Sequence, residues 1–128
     1  MRLLDSIFLI DLLRGKRETN AIIKSREPLF TTQINMYEVI KGLFLLGVSS
    51  LKFFEIAGLF DNIKVLSLDD NSIIKSAEIY ADLKKKGIEI HNLDCLIAGI
   101  ALSKGINKIV TKNIDHFKRI KGLNVESY

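Results

Sequence analysis

The chain has 128 residues, 48% of them hydrophobic and 27% charged, and its 19 Lys and Arg against 15 Asp and Glu leave a formal charge of +4. This is the composition of one compact globular core; it excludes disordered, collagen-like and mucin-like classes, and the mild positive excess permits a polyanionic partner without identifying one. No apolar run approaches the roughly 20 residues needed to cross a bilayer, Asp5 and Asp11 interrupt the apolar N-terminal stretch where a signal-peptide core would not tolerate them, and the lone Cys95 suits a reducing compartment, so a cytoplasmic protein with no membrane association is expected.

The first predicted element is a short strand over residues 2–4, followed by a helix over 6–14 that carries Phe8, Leu9, Leu12 and Leu13 at helical spacing and stops at Gly15. A second short helix is predicted over 18–25, and a brief β-favouring run over 29–32 follows Pro28. Residues 34–46 and 50–60 then form a helical hairpin broken at Gly47. A strand over 63–68 leads to Asp69 and Asp70 at a helix N-cap position. The next helix, 71–86, places Ile73, Ala77, Tyr80 and Ala81 on one face, which is predicted to be buried, and Gly87 ends it. A helix over 93–104 turns Leu96, Ile97, Ile100 and Ala101 inward. Strands at 108–111 and 124–126 flank a last short helix over 115–120. No linker or repeat divides the chain, so one domain spanning residues 1–128 is expected.

Short, continuously apolar strands alternating with helices argue for a parallel α/β sheet covered on both faces, with ligands bound beyond the carboxyl ends of its strands. Asp5 follows the first strand, Asn113 and Asp115 follow the strand at 108–111, and Glu38 and Asp94 lie on helices that line the same rim. Taken singly, each acid has an ordinary explanation as a cap, a helix-dipole partner or a solvated position. Together they are carboxylates flanked by core-type residues: Leu4 and Phe8, Met36 and Val39, Leu93 and Ile97. Like charges gathered this way call for a neutralising cation, and oxygen ligands suit Mg²⁺ or Mn²⁺. One cysteine and two histidines, His91 and His116, support a zinc site poorly.

The segments Leu4-Asp5-Ser6 with Phe8 to Leu13, Met36-Tyr37-Glu38-Val39, His91 to Ala98 around Asp94, and Ile109-Val110-Thr111-Lys112-Asn113 with Phe117 resemble, in order and over essentially the whole chain, a PIN-domain ribonuclease of the VapC toxin type. The resemblance implies a PIN-like three-layer α/β/α sandwich, with a short, mainly parallel sheet of four to five strands and helices on both faces. It implies a metal-dependent endoribonuclease in which Asp5, Glu38 and Asp94 hold one or two Mg²⁺ or Mn²⁺ ions. Where the family often carries a fourth acid this chain has Asn113, which brings an oxygen and no charge; Asp115 substitutes only if the loop turns it inward. Ser6 and Thr111 are candidate orienters of the carboxylates, with a cap or turn hydroxyl as the plain alternative.

An acidic pocket repels RNA, so basic residues must supply the approach potential. Arg14, Lys16, Arg17, Lys41 and Lys112, with Lys118 and Arg119, are placed for that rim by sequence position. Lys84, Lys85 and Lys86 read as a solvated helix end. The hairpin over 43–60 holds more apolar bulk than two half-buried helices hide, which points to an interface. The resemblance implies two partners for it, a second copy in a homodimer and an antitoxin protein seated in a hydrophobic groove. Two other readings stay open. One is a receiver-like phosphoacceptor domain using Lys112, and the other is a non-catalytic RNA-binding or assembly module whose acidic site is degenerate at Asn113.

Overall fold

The computed structural model describes residues 1–128. Five strands, β1 (Arg2–Leu4), β2 (Leu29–Thr32), β3 (Lys64–Leu66), β4 (Lys108–Val110) and β5 (Asn124–Glu126), form one sheet in the order β3-β2-β1-β4-β5. Every neighbouring pair is parallel, with Leu3 opposite both Phe30 and Ile109. The helices are α1 (Ser6–Leu13), α2 (Asn20–Ile23), α3 (Gln33–Leu45), α4 (Ser50–Ala57), α5 (Asp70–Lys85), α6 (Asn92–Ser103) and α7 (Ile114–Phe117). The predicted second helix is a 3₁₀ turn at Arg17–Thr19 running into α2, and the end of the predicted 50–60 helix is a 3₁₀ turn at Gly58–Asn62.

Successive strand residues point to opposite faces, which divides the core in two. Leu3 and Ile109 belong to a cluster with Leu83, Ile97, Ile100 and Phe117, so α5, α6 and α7 cover that face. Leu4 and Val110 pack with Phe8, Leu9, Val39 and Phe60 beneath α1 and α3 on the other. The strand order runs outward in both directions from the β1–β4 pair, so the crevice at the carboxyl ends of these two strands is the switch point where such sheets bind ligands.

Helix α5 turns the other way from the sequence expectation. Ser72, Ser76, Ile79 and Leu83 face the core, while Ile73 and Tyr80 are 48% and 40% exposed and Ala77 and Ala81 face solvent. The cause is the close approach of α6. A Cβ at Gly99 would stand 1.9 Å from Ser76 Oγ and 2.8 Å from the Ser72 carbonyl oxygen, so only glycine against small side chains fits there. The serines satisfy their hydroxyls locally, which permits burial: Ser76 donates to the Ser72 carbonyl at 2.6 Å, and Ser72 completes a capping box with Asp69. Gly87 and Gly105, just past α5 and α6, adopt φ of 73° and 77°, the left-handed conformation that ends a helix at little steric cost.

The α3–α4 hairpin closes through Phe44 and Phe53, whose ring centroids are 5.5 Å apart. Much of its apolar bulk faces outward: Phe44, Leu45, Leu46, Leu51 and Phe54 are all more than two-thirds exposed. No helix is long and apolar enough to cross a membrane.

Candidate active site

A cleft of about 380 Å³ lies at the switch point, lined by Asp5, Ser6, Glu38, His91, Asn92, Leu93, Asp94, Asn113 and His116. Four separate elements bring its polar groups together. Asp5 occupies the N-cap of α1, directly after β1, and its backbone N–H donates to the Val110 carbonyl, extending the sheet by one residue. Glu38 is on α3, whose start is fixed by Thr32 capping the Asn35 N–H. Asp94 stands in the first turn of α6, and Asn113 precedes α7.

A buried hydrogen-bond network orients two of the three carboxylates. Asn35 Nδ2 donates to Asp5 Oδ1 at 3.1 Å and to Ser6 Oγ at 2.9 Å, and Ser6 in turn donates to Glu38 Oε1 at 2.8 Å. Thr32 Oγ1 donates to Asn35 Oδ1, so Asn35, itself fully buried, has its amide fixed from both ends. On the other side Thr111 Oγ1 donates to Asp5 Oδ2 at 2.6 Å and accepts from the Asn113 N–H at 2.9 Å. Asp94 Oδ2 lies 3.0 Å from His116 Nδ1.

Burial pushes the Asp5 carboxyl above its ordinary range; Thr111 and the Ser6 N–H oppose the shift, and the nearby charges of Glu38 and Asp94 add to it. Burial likewise raises Asp94 despite His116 beside it. Two acids held above their normal range around one cleft form a donor set that favours a cation, and carboxylate with amide oxygen suits a hard divalent ion. As placed, no three acidic, imidazole or thiol groups stand at ion-holding distance, so the donors are gathered but open.

The structure therefore brings Asp5, Ser6, Glu38, Asp94 and Asn113 into one cleft, with Thr111 behind Asp5. Asp115 is elsewhere: its carboxylate is 83% exposed and pairs with Lys118 at 2.6 Å, so the loop does not turn it inward. Several cations expected at the rim are also placed differently. Lys112 contacts Asp11 at 3.2 Å and Glu18 at 2.6 Å, with Tyr128 under its ammonium, and Lys16 leans on Asp11 at 3.8 Å. Arg14 and Arg17 follow the far end of α1, about 13 Å along the helix from Asp5 at 1.5 Å per residue. Lys41, one turn from Glu38, sits over the Tyr37 ring. Lys112, the lysine that the phosphoacceptor alternative would use, is held on Asp11 and Glu18 and does not line the cleft.

Three residues missed in the sequence belong to the site. Asn35 lies three residues before Glu38, which puts both on one side of α3, and that spacing was the available signal. His91 and His116 are exposed residues at the rim of the cleft, with ring centroids 5.7 Å apart. Cys95 is buried and its thiol is raised by burial, as befits an inert small hydrophobe.

A family model described as PIN domain matches residues 2–123. The tRNA(fMet)-specific endonuclease VapC of Salmonella typhimurium is 30% identical over 97 residues, covering 76% of this chain and 73% of that protein. Ribonuclease VapC1 of Methanocaldococcus jannaschii is 29% identical over 127 residues, covering 98% of this chain and 85% of that protein. Among solved structures, a DNA-bound VapBC from Salmonella typhimurium matches with a TM-score of 0.84 at 28% identity, over 98% of this chain and 96% of that one. With the cleft acids supplied by the same segments that carry the sequence resemblance, the chain belongs to the PIN domain family and, within it, to the VapC type.

Proposed function

We propose that this chain is a divalent-metal-dependent endoribonuclease, the toxin of a VapBC-type toxin–antitoxin pair. The observation that carries the reading is the convergence of Asp5, Glu38 and Asp94, from three elements, on one switch-point cleft, with Asp5 and Asp94 raised by burial. Asp5 and Asp94 would hold one or two Mg²⁺ or Mn²⁺ ions, with Glu38 and the Asn113 oxygen completing the set. When bound, such an ion neutralises the carboxylates, polarises the scissile phosphate and lowers the pKa of a coordinated water.

The protein's own groups supply position. Asn35 and Thr111 fix the two Asp5 oxygens, so the carboxylate presents one orientation and loses little freedom on taking a ligand. Ser6 aims Glu38 into the cleft, where it orients a water against the phosphorus. The naming of the Salmonella relative makes transfer RNA the first substrate class to try. The exposed apolar surface of α3 and α4, including a groove of about 390 Å³ lined by Tyr37, Ile40, Lys41, Phe44 and Leu45, suits an amphipathic antitoxin segment, and a second copy in a homodimer is the other partner we propose. A cytoplasmic location accords with these partners.

The test is cleavage of total RNA with Mg²⁺ and with EDTA. Asp5→Asn and Asp94→Asn are each expected to abolish Mg²⁺-dependent cleavage while circular dichroism shows an intact fold. Retained cleavage in both purified variants refutes the site. A second reading, an RNA-binding module without catalysis, is favoured by the uncharged Asn113 and the open spacing of the donors; RNA binding without cleavage by the wild type under any divalent ion would select it.

A further inference from the structure

A second cavity, of about 270 Å³, adjoins the acidic cleft and shares His91 with it; its other walls are Tyr80, Lys84, Ile88, Glu89 and Ile90. From this geometry we infer that it is the binding subsite for a base of single-stranded RNA adjacent to the scissile phosphate, with Tyr80 as the stacking platform and Lys84 as the contact to the flanking phosphate. The inference rests on the nuclease reading above and extends it to how the strand is held.

Four observations point this way. The two cavities share His91 as a wall, so a strand whose phosphate sits between Asp5 and Asp94 has a base site within reach on its far side. The lining is chemically mixed, an aromatic ring and two isoleucines with a cation at the rim, which is the chemistry that takes a flat base on one side and a phosphate on the other. Tyr80 is 40% exposed because α5 presents its serines to the core, so its ring is available from solvent. Finally, the approach charge expected from Lys112 and Lys16 is absorbed by Asp11 and Glu18, whereas Lys84 pairs with no carboxylate and its neighbour Lys86 is the one tied to Asp82. Lys84 is thus a free positive charge on the α5 side of the cleft, as Lys41, over the Tyr37 ring, is on the α3 side. Glu89 on the same rim leaves the Lys84 side as the place for the phosphate.

The experiment uses the full chain with 12-nucleotide single-stranded RNAs carrying one 2-aminopurine at successive positions, with Ca²⁺ replacing Mg²⁺ so that binding is read apart from cleavage. One position is expected to change fluorescence on the wild type. That change is retained in Tyr80→Phe and lost in Tyr80→Leu, with affinity falling about 5- to 150-fold. Lys84→Gln should weaken every RNA about equally and reduce the slope of log affinity against log salt by about 0.7. Unchanged binding and fluorescence in Tyr80→Leu, with wild-type cleavage in Mg²⁺ intact, overturns the subsite and leaves the nuclease standing. Loss of dimer in Tyr80→Leu by light scattering, with RNA affinity per protomer unchanged, also overturns it by assigning this face to a second copy. Absence of any Mg²⁺-dependent cleavage by the wild type is the separate failure of the nuclease reading.

Discussion

Replacing Thr111 by valine keeps the side-chain shape and deletes one hydroxyl, so it isolates the hydrogen bond behind Asp5. Thr111 is fully buried, its O–H donates to Asp5 Oδ2 at 2.6 Å, and Asp5 is 3% exposed. No cavity forms, and the Asn113 N–H that loses its acceptor is on an exposed residue and turns to water. What remains is a buried carboxylate oxygen without its donor, a loss of about 1–3 kcal/mol, or roughly 5- to 150-fold in the folding equilibrium. The pH dependence follows from the direction of the Asp5 shift. A carboxyl raised by folding holds its proton more tightly in the native state, so it costs stability above its folded pKa and that cost is relieved as pH falls through that pKa toward the unfolded value near about 3.9. The Thr111 hydroxyl is the largest force opposing that rise, so its removal raises the folded pKa further and the destabilisation is greatest with Asp5 ionised. Urea unfolding followed by circular dichroism in EDTA, repeated from pH 8 downward, measures it: the loss is expected to be largest at pH 8 and to shrink as Asp5 takes up its proton. A loss below about 0.5 kcal/mol at pH 8, or a loss that does not shrink anywhere down to the acid limit of the fold, refutes the reasoning.

The other expectations are more direct. Gly99→Ala forces a methyl against the Ser76 hydroxyl and the Ser72 carbonyl and should lower stability by about 1–3 kcal/mol in the same unfolding assay; an unchanged midpoint would mean that α5 and α6 can part without cost. Asp115→Ala should leave cleavage unchanged, since that carboxylate is solvated and paired with Lys118, and lost activity would put it back in the site. Lys112→Met should lower the urea midpoint while leaving the salt slope of RNA binding unchanged, because its charge is spent on Asp11 and Glu18; a reduced slope would make it an RNA contact. Phe54→Asp, at an exposed apolar position of α4, should abolish co-purification with a co-expressed antitoxin and leave cleavage intact, and retained co-purification would move the partner elsewhere.

The strands and helix positions are legible in the sequence because short apolar runs and glycine stops are local signals. The facing of α5 is not, since the apolar pattern of Ile73, Ala77, Tyr80 and Ala81 says where a helix has bulk, whereas the packed face was set by Gly99 on a different helix meeting Ser72 and Ser76. A small residue's value lies in how closely another backbone approaches, and that is a tertiary quantity. The acids were legible because each sits at a strand end or in a helix turn with recognisable neighbours. Asn35 was hidden by its chemistry: an asparagine in a half-polar helix reads as solvated until its partners, about 30 residues away in Asp5 and Ser6, are in place. The fate of Lys112 is set by Asp11 and by Glu18, 94 residues away, with Tyr128 closing on the same Asp11 carboxylate, contacts that no local pattern announces.

Asp5 and Asp11 show why the buried acids divide into two kinds. They border or occupy the same helix, α1, and each is 3% exposed, so burial raises both. At Asp11 the fold answers that penalty with the Tyr128 hydroxyl at 2.7 Å, Lys112 and Lys16, and the carboxyl ends below its ordinary range. At Asp5 it supplies neutral donors only, Asn35 and Thr111, and sets two further carboxylates nearby, so the carboxyl ends above it. Asp11 is neutralised by the protein's own cations, whereas Asp5, in a cleft at the switch point, is left without them, which is the electrostatic basis of the metal site proposed above. The same division shows where charge is spent: Lys16 and Lys112, next to α1, neutralise Asp11, whereas Lys84, at the end of α5, pairs with no carboxylate.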